Sequence, residues 1–210
     1  MTYTPGERQA IAERPPKLII GLSGRKGSGK SSVADQLRLA LISMEIPSSV
    51  VSFATPMRLM MEELLAYSGV VNPASYLRDP KLKEQDLHAL GGKSVRYLMQ
   101  TLGTEWGRDC VAEDLWVTLG INKALFNECP VVIIDDVRFP NEAEAIQNTG
   151  GWVFHIKRPQ AEHGDVDAHP SEAHSLGQWV FNGTDNPGDA AKIVLALLEG
   201  PMIRLLEQME

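Results

Sequence analysis

The residues most able to do chemistry in this chain stand together near its start. The run Gly24-Arg25-Lys26-Gly27-Ser28-Gly29-Lys30-Ser31, followed by Ser32, fits the spacing G-x-x-x-x-G-K-[ST] at every fixed position. Glycines allow the backbone to curl until successive N–H groups point inward and cradle phosphate oxygens. The apolar KLII before the run reads as a strand and VADQLRLALI after it as a helix, whose first turn adds partial positive charge. Lys30 is placed to reach β- and γ-phosphates, and the Ser31 hydroxyl to ligate Mg²⁺. The chemistry implied is the binding of a nucleoside triphosphate.

A second group of reactive side chains lies in Asp135-Asp136-Val137-Arg138, directly after the apolar run VVII. Ligands of open α/β sheets bind in the crevice at the carboxyl ends of strands. There Asp135 and Asp136 can hold Mg²⁺ through water or anchor a ligand group, and Arg138 can grip a phosphate with its planar fork. The alternative is that the two acids cap a turn and Arg138 pairs with Glu142.

The elements that must position these groups follow from periodicity. Five apolar runs read as strands: Leu18–Leu22, Ser49–Phe53, Val131–Ile134, Trp152–Ile156 and Trp179–Phe181. The unbroken VVII is typical of a parallel strand covered on both faces. Helical patterns lie over Ser31–Met44, over Asn141–Asn148 with Asn141 as N-cap and Glu144 three places on, and over Asp189–Leu198. Strands alternating with helices imply an α/β fold with a parallel sheet. The second and third strands are separated by about 75 residues, far more than a helical crossover requires. This helical excess, rich in arginine, reads as a substrate-binding insertion rather than a plain extra layer.

Bulk properties bound the function. With 210 residues the chain suits one domain with an insertion. Its net charge of −7 argues against broad binding to a nucleic-acid backbone, though a local basic cluster still suits a small phosphorylated ligand. No apolar run is long enough to span a membrane, and the polar N-terminus does not read as a secretory signal. Cys110 and Cys129 lack metal-ligand spacing and read as a pair of buried thiols in a cytosolic protein.

The segments GLSGRKGSGKSS, SFATPMR, LMQTLGTEWGRD, DDVRFPNEAEAI and HPSEAH occur in this order and together resemble the deoxynucleoside monophosphate kinases of bacteriophages and bacteria. These belong to the adenylate-kinase-like group of P-loop kinases. The resemblance implies a three-layer α/β sandwich with a five-stranded parallel sheet. It divides a single domain into a core (17–54, 128–157 and 175–210), a monophosphate-binding helical insertion (55–127) and a lid (158–174). It implies transfer of the ATP γ-phosphoryl group, with Mg²⁺, to a deoxynucleoside monophosphate (dNMP), in the host cytoplasm if a phage encodes the chain.

By the same resemblance Arg58, Arg96, Arg108 and Arg138 are candidates for the acceptor phosphate, with Asp136 as a further substrate contact. Gln100 shares a helical flank with Arg96, while Val95, Leu98, Met99 and Leu102 form that helix's buried stripe. Gly103 is expected to end the helix and present Trp106, which can stack on a base, and Arg108. The lid departs from the adenylate kinase pattern in carrying only Arg158, which becomes the cation expected on the transferring phosphoryl. Glu172 matches the family's HxSE segment without a derivable role, and the lid histidines match no metal pattern. Asn182, Gly183 and Thr184 resemble the loop against the adenine of ATP. Lys30, Asp136, Arg138 and Arg158 form the expected catalytic set.

Two alternatives remain: a same-fold kinase of another small acceptor such as dephospho-coenzyme A, and a P-loop ATPase with no acceptor. The apolar residues of the C-terminal PMIRLLEQME can pack on the core or on a second copy as a homodimer.

Overall fold

The computed structural model describes residues 4, 6, 9, 15–158, 176–182 and 186–209. Its contacts divide the chain into one unit of Met1–Ser52 with Gly120–Glu210 and another of Phe53–Leu119. The sequence places the insertion at 55–127; the later break instead falls inside one continuous helix, where no local signal marks it.

The first unit is built on a five-stranded sheet. Its strands are β1 (Leu18–Ser23), β2 (Ser48–Val51), β5 (Val131–Val137), β6 (Trp152–Lys157) and β7 (Gln178–Phe181). They lie in the order β2-β5-β1-β6-β7, all parallel. β1 is central and wholly buried, as its unbroken apolar character requires. Helices α1 (Lys30–Ser43), α8 (Pro187–Leu197) and α9 (Glu199–Glu207) supply Leu37, Leu41, Val194 and Met202 to a core shared with Leu18, Ile20 and Leu22 of β1. Helix α7 (Pro140–Asn148) packs on the opposite face, where Ile146 comes so close that a Cβ on Gly21 would lie 2.7 Å from its methyl. Met202 and Leu205 of α9 are buried in the same core, so the apolar C-terminus packs at least partly on its own chain.

α7 begins one residue earlier than its sequence pattern suggests, and its cap differs. Pro140 takes the first helical position, where its fixed φ fits and its missing N–H costs nothing. Phe139 is the N-cap, and Glu142 rather than Glu144 reaches back, accepting from the N–H groups of Arg138 (2.7 Å) and Phe139 (3.1 Å). Glu142 is thereby committed to the backbone of this turn.

The second unit contains α2 (Thr55–Tyr67), α3 (Pro73–Arg78), α4 (Pro80–Glu84), the short antiparallel pair β3 (Asp86–Leu87) and β4 (Lys93–Ser94), and α5 (Val95–Thr101). Helix α6 (Leu115–Leu125) carries the chain out of it. Met61, Leu65 and Val95 form its core, with Leu98, Met99 and Leu102 packed against them, the stripe read from the sequence. Asp79 caps α4 by accepting from Lys81 N–H (2.7 Å) and Leu82 N–H (3.2 Å), and Ser94 caps α5 through Tyr97 N–H (3.3 Å).

Gly103 does not end α5. The chain continues from Leu102 to Val111 as a π-helix, a wide-turned form that is rare over ten residues. Its physical basis is visible beneath it. The buried Trp116 indole donates from Nε1 to the Gly103 carbonyl (2.8 Å), and a Cβ on Gly107 would lie 2.4–2.5 Å from three of its ring atoms. A broad turn with a side-chain-free wall accommodates that ring. Cys110, on the same segment, is exposed and Cys129 is half-buried, so these thiols are not the buried pair that the sequence predicts.

Candidate active site

The loop from Gly24 to Gly29 turns three times through left-handed conformations, at Gly24 (φ 140°), Gly27 (79°) and Gly29 (91°). Only glycine adopts these without strain. Gly24 is required twice over, since a Cβ there would lie 2.4 Å from the Ile156 carbonyl oxygen of β6. Ser28 N–H donates to Arg25 O (3.1 Å) and closes the turn. Gly29 is the N-cap of α1 and supplies no side-chain cap, and the first turn carries no acid. The first-turn N–H groups therefore present donors and partial positive charge that an anion can take up.

Lys30 lies across this loop, its Nζ donating to Gly24 O (2.6 Å) and Arg25 O (2.8 Å). These carbonyls hold the ammonium at the loop where phosphate oxygens would compete for it. Arg25, Lys26, Ser31 and Ser32 are exposed around it, and Ser28 is buried.

β5 brings Asp135 to the loop. Ser31 Oγ donates to Asp135 Oδ2 (2.9 Å), and Ser52 Oγ donates to Asp135 Oδ1 (2.6 Å). The sheet register explains the second contact: Val51 of β2 pairs with Ile134 of β5, so Ser52 comes level with Asp135. A carboxylate beside a hydroxyl is the hard oxygen donor set that Mg²⁺ takes. The described residues contain no cluster of three or more His, Cys, Asp or Glu that could hold a metal by themselves. Asp136, next along the strand, is buried, and here β5 slips its register against β1, with Gly21 facing Ile134 and Ser23 facing Val137. Of the two acids that the sequence treats alike, Asp135 is the one that meets Ser31.

The foot of the loop is tied to β6. Ser23 Oγ donates to Leu176 O (3.0 Å), which spends its single proton, so His155 Nδ1 at 3.0 Å must donate to the hydroxyl. On the far side of this imidazole, Trp179 lies 5.9 Å away centroid to centroid, with Lys157 Nζ 4.3 Å from the Trp179 centroid.

Residues 49–176 match the family model of deoxynucleotide monophosphate kinase. The chain is 32% identical over 171 residues to a protein of Acanthamoeba polyphaga mimivirus named "Putative deoxynucleotide monophosphate kinase", a match covering 74% of this chain and 80% of that one. The chain belongs to the deoxynucleotide monophosphate kinase family. It is also 35% identical over 136 residues to the deoxynucleoside-5'-monophosphate kinase of Escherichia phage T5, covering 60% of this chain and 54% of that enzyme.

Among solved structures, the Mycobacterium tuberculosis APS kinase CysC in complex with AMPPNP and APS aligns over 89% of this chain and 99% of its own, with 15% identity and a TM-score of 0.46. Shikimate kinase from Acinetobacter baumannii in complex with shikimate covers 92% and 97%, with 15% identity and a TM-score of 0.41. These likenesses are too loose to say anything of this chain's ligands. The glycine loop lies before the range matched by the family model, so loop and family match are separate observations.

The other residues that the family implies are spread over both units. Arg58 is exposed on the first turn of α2, and Gln100 is exposed at the end of α5. Arg96 forms a hydrogen-bonded ion pair with Glu84. Trp106 is 44% exposed on the π-helix, its ring 6.0 Å from that of Trp116, and Arg108 is half-buried on the same segment. Arg138 is exposed just before α7; Glu142 takes its backbone N–H, a different contact from the side-chain pairing considered in the sequence. Arg158 directly follows β6. Asn182 is buried, and its Nδ2 donates to Ser28 O (3.1 Å). Glu172, Gly183, Thr184 and residues 159–174 of the expected lid, with its histidines, lie outside the described residues.

Sequence reasoning missed Ser52 and the Ser23–His155 pair. Ser52 stands within SFATPMR, but its role depends on β2 and β5 being neighbours, and no local signal states that. The Ser23–His155 pair joins residues 132 positions apart in the chain.

Proposed function

We propose that this chain transfers the γ-phosphoryl group of ATP to a deoxynucleoside monophosphate, yielding ADP and the corresponding diphosphate. The observation that carries the nucleotide half is the glycine loop ending in an uncapped helix, with Lys30 held across it and Ser31 against Asp135. Membership of the family supports the acceptor half.

The donor set of Ser31 and Asp135 fits Mg²⁺, which when bound with ATP neutralises charge on the phosphate oxygens. Ser31 would ligate directly and Asp135 through water, with Ser52 fixing the carboxylate's orientation. The N–H groups at residues 27–31 would grip the β-phosphate, and Lys30 would exchange its two loop carbonyls for β- and γ-oxygens. Arg158 would supply charge to the transferring group.

No protein base is needed. The acceptor's phosphate is largely dianionic at neutral pH, its second pKa being about 6, so one of its oxygens already carries the attacking pair. That oxygen forms the new P–O bond as the bond to the ADP oxygen breaks, and the pair leaves on ADP. Catalysis is then positioning and charge neutralisation. Arg58, Arg108 and Arg138 are the side chains we assign to the acceptor phosphate, with Trp106 for the base. Arg96 would have to exchange Glu84 for the acceptor. Asp136, buried next to Asp135, we retain as an anchor for the acceptor.

The described residues form no helix long and apolar enough to cross a membrane, and we place the enzyme and its small-molecule substrates in the cytoplasm. ADP release measured with a panel of dNMPs, NMPs and dephospho-coenzyme A tests the reading. Turnover dependent on a dNMP is expected; equal ADP release without any acceptor would establish an ATPase instead.

A further inference from the structure

Asn182 supports the glycine loop through its side chain, a role distinct from touching the adenine. It is 3% exposed, and its own N–H donates to Lys157 O (2.8 Å), which fixes the residue at the end of β7. From there Nδ2 donates to Ser28 O (3.1 Å), across 154 positions of chain. A Cβ on Gly29 would lie 2.7 Å from that nitrogen, so the loop backbone rests directly on the amide. The amide has one tenable orientation, because reversing it would set its oxygen against the Ser28 carbonyl. Among the described residues its buried Oδ1 meets no hydrogen-bond donor, so the contact that fixes this amide is the one from Nδ2 to Ser28 O.

What it holds is a peptide plane. In a trans peptide the carbonyl of one residue and the N–H of the next point in opposite directions. A donor that pins Ser28 C=O toward Asn182 therefore aims Gly29 N–H away from Asn182. Gly29 is the N-cap of α1 in a left-handed conformation, and as glycine it could rotate this plane at little cost. We infer that Asn182 is a positioning residue that locks the Ser28–Gly29 peptide and so presets Gly29 N–H as a phosphate donor.

This inference rests on the nucleotide-binding reading, and the test keeps the two apart. Tripolyphosphate, which has no base, is titrated by calorimetry beside ATP into the full chain and into Asn182→Ala and Asn182→Asp. Loss of the donor weakens both ligands by about tenfold in Asn182→Ala, and by on the order of a hundredfold in Asn182→Asp, where a carboxylate faces the Ser28 carbonyl. In steady-state kinetics the KM for ATP rises while the KM for the dNMP stays put. A folded variant that binds tripolyphosphate like the parent overturns the inference, and weakening of ATP alone returns Asn182 to the adenine.

Should either variant fail to fold, NMR of the unaltered chain decides. One slowly exchanging Asn182 amide proton, together with a Gly29 amide that moves on adding tripolyphosphate, supports the lock. Fast exchange of both amide protons overturns it. If the unaltered chain binds neither ATP nor tripolyphosphate, the nucleotide reading itself fails and takes the inference with it.

Discussion

The π-helix of the second unit makes the sharpest energetic prediction, because one contact fixes the sign of a coupling. A Cβ on Gly107 would lie 2.4, 2.5 and 2.5 Å from Nε1, Cε2 and Cζ2 of Trp116. Real Cβ contacts are never that short, so Gly107→Ala must displace an indole that is 2% exposed. Overpacking of this kind costs about 1–3 kcal/mol, against which alanine recovers up to ~1 kcal/mol of backbone propensity relative to glycine. The net expectation is a loss of about 1 kcal/mol.

Trp116→Leu removes the Nε1–H and leaves the Gly103 carbonyl without that donor, a loss of about 1–3 kcal/mol before the cost of the space left behind. The leucine side chain, however, ends short of the ring atoms that alanine at 107 would strike. The double variant should thus be more stable than the two single losses added together, by about 1 kcal/mol. Urea denaturation followed by tryptophan fluorescence measures this, and Trp106, 6.0 Å from Trp116, reports on the same segment. Additivity within about 0.5 kcal/mol would refute the packing argument. The functional counterpart is that Gly107→Ala raises the KM for the dNMP and leaves that for ATP unchanged, if Trp106 and Arg108 serve the acceptor.

Lys30→Met should lower turnover by on the order of 100- to 1,000-fold, the usual cost of removing one preorganised charge from a transition state, with little change in melting temperature; near-normal turnover would dismiss Lys30 from the chemistry. Arg138→Ala should raise the acceptor KM, since the side chain is exposed at the carboxyl end of β5, and unchanged acceptor KM and kcat would take Arg138 out of the site. Ser52→Ala frees one oxygen of Asp135 and should weaken Mn²⁺ binding to the ATP complex, read by electron paramagnetic resonance, by about tenfold. An unaltered Mn²⁺ affinity would reduce Ser52 to a structural contact.

The parts of the fold that local periodicity determines are legible in the sequence. All five sheet strands and helices α1, α7 and α8 lie where apolar spacing puts them, within a few residues. The glycine loop is legible because its chemistry is contiguous, with strand, turn and helix in sequence. The cap of α7 is misjudged because Asn141 is a good N-cap residue in isolation, whereas Pro140 at the first helical position moves the boundary. The π-helix is missed for a related reason: Gly103 reads as a helix terminator, but here its carbonyl is taken by an indole 13 positions later. Long-range pairings, Ser52 with Asp135 and Asn182 with Ser28, require the strand order and could not be read from spacing alone.

Composition leaves open which of two neighbouring acids serves the metal. Asp135 and Asp136 are chemically identical, and β5 slips its register against β1 where they stand, so simple alternation of side chains does not assign them. Their contacts give the assignment instead: both oxygens of Asp135 are already oriented by the hydroxyls of Ser31 and Ser52, the donor set to which a cation held by Ser31 would be drawn. Asp136 is buried beside it, and we assign it to the acceptor. The two neutral variants separate these roles: Asp135→Asn should weaken metal binding, and Asp136→Asn should spare it while disturbing the acceptor. Loss of metal affinity in both alike would mean that the two acids share the metal.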